Sequence, residues 1–530
     1  MIISRPMIRS ISIDNVRLFS GTGWTFPIHP LQVFCGTNSA GKSTLLKTLL
    51  LLRQSVVVPE SYEGADGRLR FVSNQADLGN YASFVSNNML EEDIRISITI
   101  EDRLRRKTIE DLISMKNGRT SHQVADKNAW LPYTLTASFR FSLDKKEASL
   151  ARTQGFLKEA NFEIGYLGNS LLHWKIVSTL GKATEEKNFE RYELLVPSFF
   201  SKEAMGHLKS VGVDKETDFE RYQAFLAGLL PAGVRSQMGK KGKKLKTDQQ
   251  IFWPLPTQLH YAQSDLERAL KSIHYLGPLR TPAQRYYVAS LDDAPDFDST
   301  GAFLPSILHQ RGNEKIFGGA PGVNQLSPQQ LDTLEGGLNH WLHYLRTGEM
   351  GHSADAPQEI KLSATKDVLV ELLLRAPSGA SSHALTDSGF GYSQVLPILV
   401  RGLLASPNST LIIEQPELHL NPGLQVRLAV FFIEMVKAGK QVLIETHSEH
   451  LVNAIRVLAA EDPSNEVAKR VGIIFMEMTA SGPIVHNLNL QPDGTVPDWP
   501  PSFFGEAMSL SSRLLKAQRN FISTSKPSNA

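Results

Sequence analysis

Cysteine is nearly absent from the chain, with Cys35 the single example in 530 residues. That excludes an intramolecular disulfide and any C-x-x-C or H-x-x-C metal framework, and it fits a reducing compartment. Net charge is nearly absent too: 56 lysines and arginines stand against 54 acidic residues. No global field therefore demands nucleic acid or an anionic membrane as partner. Long apolar runs are also missing. The richest, LLKTLLLL (Leu45 to Leu52), falls far short of the roughly 20 residues a membrane span needs, and MIISRPMIRSISIDN has no apolar core of a signal peptide. A soluble, cytoplasmic chain without membrane contact is expected. Heptads are not sustained over three or four repeats, which argues against a long coiled coil, and no internal repeat is evident.

What is present is a phosphate loop. In VFCGTNSAGKSTLL (Val33 to Leu46) an apolar strand-like run enters a small-residue turn and leaves as a Leu-rich helix. Gly36-Thr37-Asn38-Ser39-Ala40-Gly41-Lys42-Ser43 fits G-x-x-x-x-G-K-[ST] at every fixed position. Two glycines let successive N–H groups turn inward toward phosphate oxygens, and the helix N-terminus adds its positive dipole end. Lys42 then reaches the β/γ-phosphates and the Ser43 hydroxyl ligates Mg²⁺. The expectation is a bound nucleoside triphosphate, with Cys35 packed at the end of the strand.

A second block, STLIIEQPELHLNPGLQVRLAVFFIEMVKAGKQVLIETHSEHLVNAI (Ser409 to Ile455), reads as strand, helix, strand. The first strand ends at Glu414, where a phosphate-loop protein holds an acid near Mg²⁺. Helical periodicity runs from Leu424 to Val436, Gly439 closes that helix, and QVLIETHS brings His447 to the tip of the next strand. Polar groups at strand C-terminal ends are where α/β sheets place ligands. Just upstream, LTDSGFGYSQVLPILVRGLLA (Leu385 to Ala405) puts a small-residue turn, Asp387 to Ser393, before an apolar helix.

Taken in order, these elements resemble an ABC-type ATPase head of the RecF, SMC and OLD group. EQPELHLNP, ETHSEHLVN, DSGFGYSQVLP and YLGPLRTP are similar to soluble prokaryotic ATPases with a DUF3696-type C-terminus, as is the ending IVHNLNLQPDGTVPDWPPSFFGEA (Ile484 to Ala507). The resemblance covers roughly residues 7–100, 270–315 and 360–510, and it extends to PtuA-type ATPases of Septu and retron antiphage systems, which work with an HNH nuclease. It implies an α/β P-loop head with a mixed sheet, ATP and Mg²⁺ as cofactors, and heads that form a homodimer or higher homo-oligomer. Gly36, Asn38, Gly41, Lys42, Ser43 and Thr44 match the nucleotide loop. Ser43 and Glu414 match the metal site, and His447 matches the switch histidine that senses the γ-phosphate. Ser388, Gly389, Gly391 and Ser393 cover the signature that acts on the partner head's site. Gln75, or its rival Gln54, is the candidate for the glutamine loop, although the favoured reading of each is an exposed polar residue.

One departure bears on catalysis. Many such heads carry a catalytic Glu directly after the Mg²⁺-supporting acid, and here that position is Gln415. An amide orients water but takes no proton. Glu417 either supplies the base past Pro416 or hydrogen-bonds within the following loop.

The chain divides into four expected parts. Residues 1–195 form the first part of the head with an antiparallel β lobe (RLRFV, DIRISITI, TLTASFRFSL, NFEIGYL), and residues 196–350 a mainly helical insertion. Residues 351–482 complete the head, and 483–530 form the DUF3696-like tail. Within the insertion, KKGKKLK (Lys240 to Lys246) either neutralises nucleic-acid phosphates or is a solvated loop. Arg280 and Arg285 face nucleotide or partner, or pair with acids. OLD nucleases carry a D-x-D cluster after the switch histidine. This chain has none there, and LDDAPDFD (Leu291 to Asp298) reads as an acidic loop, so any cutting falls to a separate nuclease. The leading reading is an ATPase sensor or scaffold of an antiphage complex. The alternatives are a RecF-like repair ATPase that loads on DNA, and a binding module in which ATP only glues subunits.

Overall fold

The computed structural model describes residues 6–57, 67–73, 75–117, 129–143, 155–179, 192–205, 210, 212–214, 218–236, 251–288, 298–316, 333–349, 359–365, 369–375, 381–387, 391–500 and 512–518. The protein is mixed α/β, built on two large sheets and one small one.

Among the described residues the first large sheet has eleven strands, antiparallel throughout. Its order is Ile251–Trp253, Leu230–Ser236, Phe219–Ala227, Tyr192–Pro197, Asn169–Ser178, Phe156–Tyr166, Trp130–Ser142, Ile94–Arg105, Met7–Asp14 and Trp24–Pro27, with Gly212–Asp214 beside Phe219–Ala227. Period-two alternation builds it. Ile94, Ile96, Ile98 and Ile100 are all fully buried on one face, opposite Phe141, Phe139, Ala137 and Leu135 in register.

The second sheet is the one that carries the phosphate loop. Ile273–Leu276, Thr410–Glu414, Gln441–Glu445, Leu31–Gly36 and Val471–Thr479 run parallel in that spatial order, and Gly482–Asn489 closes the edge antiparallel. A parallel sheet needs cover on both faces, and its strands read as continuous apolar runs for that reason. Phe34, Ile412, Leu443 and Ile474 face the helix Lys42–Val56 and the antiparallel lobe. Val33, Leu411, Ile413, Val442, Ile444 and Ile473 face the other way, onto the helices Gly391–Leu404, Pro422–Lys437, Glu449–Ala460 and Leu334–Thr347. The loop helix thus lies in the core between the two sheets. A small third sheet joins Tyr287–Val288, Leu369–Arg375, Ile360–Thr365 and Ser382–Ala384.

One side chain ties the two large sheets together. The Gln441 amide donates to the carbonyls of Ile8 (2.8 Å) and His29 (3.3 Å), while its oxygen accepts from the Ile8 N–H (3.3 Å) and the Thr410 hydroxyl (3.1 Å).

Three sequence expectations are corrected. RLRFV forms no strand: Arg68 and Val72 make only isolated bridges, while Leu69 and Phe71 plug the core. Residues 196–350 are not mainly helical up to Trp253, because Gly212–Asp214, Phe219–Ala227, Leu230–Ser236 and Ile251–Trp253 continue the antiparallel sheet. The alternation in FERYQAFLA buries Tyr222, Ala224 and Leu226, but its polar partners disguise the strand in the sequence. Helices follow at Thr257–Lys271, Leu304–Arg311 and Leu334–Thr347. The boundary at 483 also moves, since Gly482–Asn489 is hairpin-paired to Val471–Thr479 inside the head sheet. The longest described helix, Pro422–Lys437, has 16 residues, so no long coiled coil exists among the described residues. No described helix is long and apolar enough to cross a membrane. Lys240 to Lys246 and Leu291 to Phe297 lie outside the described residues.

Lys440, wholly buried before the Gln441 strand, donates to the Gly402 carbonyl at 2.7 Å, and burial pushes its amine down to about 7. An unfolded lysine titrates at about 10.4. Between those values the unfolded chain holds a proton that the folded one has released, so this group makes stability rise with pH from about 7 toward 10. In denaturant melts, Lys440→Met is expected to flatten that rise relative to wild type. Parallel pH profiles for the two proteins would show that the amine does not titrate in this window.

Candidate functional site

The phosphate loop leaves the sheet at the C-terminal end of Leu31–Gly36, and its two glycines are dictated by contacts. Gly36 sits at φ 128°, where a Cβ would lie 1.9 Å from the Met476 carbonyl oxygen. Gly41 sits at φ 99° with the Phe19 ring 2.6 Å from its missing Cβ. The neighbouring strand pins the loop, since Thr37 N–H donates to Met476 O (2.9 Å) and Met478 N–H to Thr37 Oγ1 (3.1 Å). Asn38 is exposed on the rim, and Thr44 is buried in the first turn of the helix. Lys42 folds back over the loop, with Nζ donating to the carbonyls of Thr37 (2.6 Å) and Gly36 (3.2 Å). Burial lowers its pKa, against the pull of Glu445.

Two acids meet the loop from the adjacent strands. Glu414 and Glu445 end parallel neighbours and are partners in register. Both are about 95% buried. Ser43 Oγ donates to Glu445 Oε1 at 2.8 Å, and Glu445 Oε2 is buried with no hydrogen-bond partner among the described residues. Glu414 Oε1 accepts from the Tyr275 hydroxyl at 3.1 Å. Burial first, then the charge of Glu445, pushes Glu414 up to about 7, while Lys47 and Arg17 pull the other way. Burial also raises Glu445, opposed by Ser43, Lys42 and Lys47. The Ser43 hydroxyl and the Glu414 carboxylate are hard oxygen donors suited to Mg²⁺, and the partnerless buried oxygen beside them fits a cation.

Beyond Glu414 the chain turns sharply. Gln415 adopts φ 45°, in the left-handed region, and its N–H donates to the Glu445 carbonyl at 2.7 Å. Glu417 then reaches the next strand's exit, where Oε1 accepts from the His447 N–H (2.6 Å) and Oε2 from Thr446 Oγ1 (2.8 Å). Of the two sequence readings for Glu417, this geometry matches the hydrogen-bonding one. Ser448 caps the helix Glu449–Ala460 by accepting from Leu451 N–H, which fixes the turn from the other side. His447 itself is exposed beside the loop. Burial of part of the ring and the Lys42 charge lower its pKa, with the Gly36 backbone opposing.

The structure therefore brings the loop, Glu414, Gln415, Glu417 and His447 to one edge of the sheet. The signature residues behave differently. Ser388 and Gly389 lie outside the described residues, and Ser393 is buried at the start of Gly391–Leu404. Gly391 borders a separate cavity of about 460 Å³ with Arg346, Tyr392, Asn421 and Arg427. Both glutamine-loop candidates are engaged elsewhere: Gln54 is buried between the Arg70 carbonyl (3.0 Å) and Ser73 Oγ (2.8 Å), and Gln75 accepts from Arg53. Arg285 pairs with Asp387 at 3.0 Å on the surface.

Sequence reasoning missed Glu445, Tyr275 and the role of Arg280. Arg280 is 5% exposed, and its Nη2 donates to the Glu414 carbonyl at 2.9 Å. Burial lowers its pKa to about 10 against the pull of Glu417 and Glu414. The signal for Glu445 was its place, one strand over from Glu414 and two residues before His447.

Residues 346–452 match the family model of an AAA ATPase domain, a span that runs from before the Gly391 helix past His447. No curated protein matches the chain. Among solved structures, it is similar to an SMC head bound to the C-terminal winged-helix domain of ScpA, at 10% identity and TM-score 0.38, covering 92% of this chain and 98% of that one. It is also similar to the SMC head domain from Thermotoga maritima, at 9% identity and TM-score 0.33, covering 91% and 98%. A third is a Pyrococcus furiosus SMC head with an extended coiled coil bound to the C-terminal domain of ScpA, at 9% identity and TM-score 0.36, covering 96% and 99%.

Glu417→Gln would set an amide NH₂ against one of two donors. The expected loss is about 1–3 kcal/mol, read as a lower denaturant midpoint at unchanged m-value. An unchanged midpoint would mean that the 446–447 turn does not depend on this carboxylate.

Proposed function

We propose that this chain is an ABC-type ATPase that binds ATP with Mg²⁺ at residues 36–44 and hydrolyses it slowly. The observation that carries the reading is the convergence, across three parallel strands, of the glycine loop, Lys42, Ser43, Glu414 and His447. Inward N–H groups and Lys42 take the phosphates once Lys42 exchanges its loop carbonyls for them, while Ser43 and Glu414 hold Mg²⁺. The cation supplies charge neutralisation on the phosphates. His447, kept neutral at pH 7 by its lowered pKa, is suited to a hydrogen bond with the terminal phosphate.

Water activation is the weak part. Gln415 orients water without accepting its proton, and both Glu417 oxygens already serve the 446–447 turn. The missing general base is worth about 10²–10⁴-fold, or roughly 3–5 kcal/mol of barrier. A long-lived ATP state suits a regulatory scaffold. On the resemblance of EQPELHLNP and ETHSEHLVN, that scaffold is the sensor of an antiphage complex, holding a separate HNH-type nuclease inactive while ATP is high. Heads pair across two nucleotides, with the segment from Ser388 to Ser393 completing the partner's site.

Lys42→Ala is expected to abolish ATP binding in equilibrium titration while the circular dichroism spectrum stays that of the folded wild type. Wild-type affinity in that variant would remove the site assignment. In single-turnover assays Gln415→Glu is expected to hydrolyse faster than wild type by a factor within the general-base range, and brisk wild-type turnover would end the slow-scaffold reading. Sedimentation should show a dimer that forms with ATP and Mg²⁺ in wild type and fails in Lys42→Ala. An ATP-loaded monomer would exclude head pairing.

A further inference from the structure

Glu445 has no role in the reading above, yet it is the acid in direct contact with the phosphate loop. Its Oε1 accepts the Ser43 hydroxyl at 2.8 Å. Its Oε2 is buried with no hydrogen-bond partner among the described residues, in a side chain only 4% exposed. A buried carboxylate oxygen left without a donor is costly unless something positive meets it. The nearby ammonium does not: Lys42 Nζ is turned to the carbonyls of Gly36 and Thr37. Glu414 adds a second buried acid, its register partner on the next strand, and neighbouring strands lie about 4.8 Å apart. Glu417 offers no free carboxylate oxygen, since both of its own accept from the 446–447 turn.

We propose that Glu445 ligates the divalent cation directly through Oε2, so that the ion is held from three segments of the chain: Ser43 in the loop, Glu414 on one strand and Glu445 on the next. The inference rests on the nucleotide-site reading and deepens it. Ser43 Oγ keeps its proton and points it at Glu445 Oε1, leaving its lone pairs for the ion, so the hydrogen bond orients the serine oxygen as a ligand. Two carboxylates and a hydroxyl make a hard, anionic oxygen set, which suits Mg²⁺ or Mn²⁺ over softer ions. Two protein carboxylates also neutralise the ion before any phosphate arrives, so the cation is expected to bind without nucleotide.

The test uses Mn²⁺ as the probe, followed by its electron paramagnetic resonance signal on the full chain, with and without a non-hydrolysable ATP analogue. Glu445→Gln keeps the shape and the Ser43 contact but removes the charge. It is expected to weaken Mn²⁺ affinity by at least about 10–100-fold, the loss usual even for residues one shell further out. Unchanged Mn²⁺ affinity in Glu445→Gln overturns the proposal. If that variant does not fold, Glu445→Asp carries the test: weaker Mn²⁺ binding supports the ligand role, and wild-type binding refutes it. Failure of the underlying reading is separable, because it appears as wild-type protein that binds no nucleotide in EDTA or in Mn²⁺.

Discussion

Parallel, in-register pairing of three strand ends governs the rest of this molecule. Leu31–Gly36 lies between Gln441–Glu445 and Val471–Thr479, and Thr410–Glu414 flanks Gln441–Glu445 on the other side. Because parallel strands end together, the loop after Gly36, the acids Glu414 and Glu445, and the turn holding His447 are delivered to one edge. A one-residue slip would move every side chain to the opposite face. The register is secured by apolar residues on both faces, packed against the loop helix on one side and four helices on the other. Site geometry is thus a consequence of core packing.

The same edge explains how charge is managed there. Three glutamates, an arginine and a lysine share a largely buried region, and each is held by named partners: Tyr275 and Arg280 at Glu414, Ser43 at Glu445, Thr446 and the His447 amide at Glu417, and the Gly36 and Thr37 carbonyls at Lys42. Arg280 donates to a backbone carbonyl at the strand tip, so its guanidinium braces the start of the Gln415 turn. The left-handed backbone at Gln415, with its N–H on the Glu445 carbonyl, links the two strand exits covalently adjacent to the acids. The turns at 415–417 and 445–447 therefore form one interlocked unit.

How much was legible in the sequence follows from the range of each signal. The loop spacing and the buried strands Thr410–Glu414 and Gln441–Glu445 are local patterns, and the structure has them where the residues suggest. The antiparallel strands from Ile94 onward were legible by alternation. Phe219–Ala227 was not, because Glu220 shares the face of Tyr222, Ala224 and Leu226 while Phe219 and Phe225 sit among the polar residues of the other face. RLRFV alternates as a strand does but pairs only through isolated bridges, Arg68 to Phe156 and Val72 to Asp77. Glu445 and Arg280 were missed for another reason: their importance is purely spatial. Glu445 meets Ser43 across more than four hundred residues of chain, and no local pattern reports that contact. Gln54 and Gln75 were misleading for the same spatial reason: Gln54 is engaged by Arg70 and Ser73, and Gln75 by Arg53.

The position of Leu31–Gly36 in the sheet has a consequence for synthesis. Its two neighbours begin at Gln441 and Val471, so the strand that leads into the phosphate loop is made early and paired late. At about 5–20 residues per second, the ribosome leaves it without either partner for roughly 20–80 s. The antiparallel lobe, contiguous in the chain from Ile94 to Trp253 and joined by Met7–Asp14, is complete well before that. A prematurely terminated chain therefore carries the whole glycine motif and an ordered lobe, but no formed loop. The setting of the glycine loop is completed only once Val471–Thr479 has been made, near the end of translation.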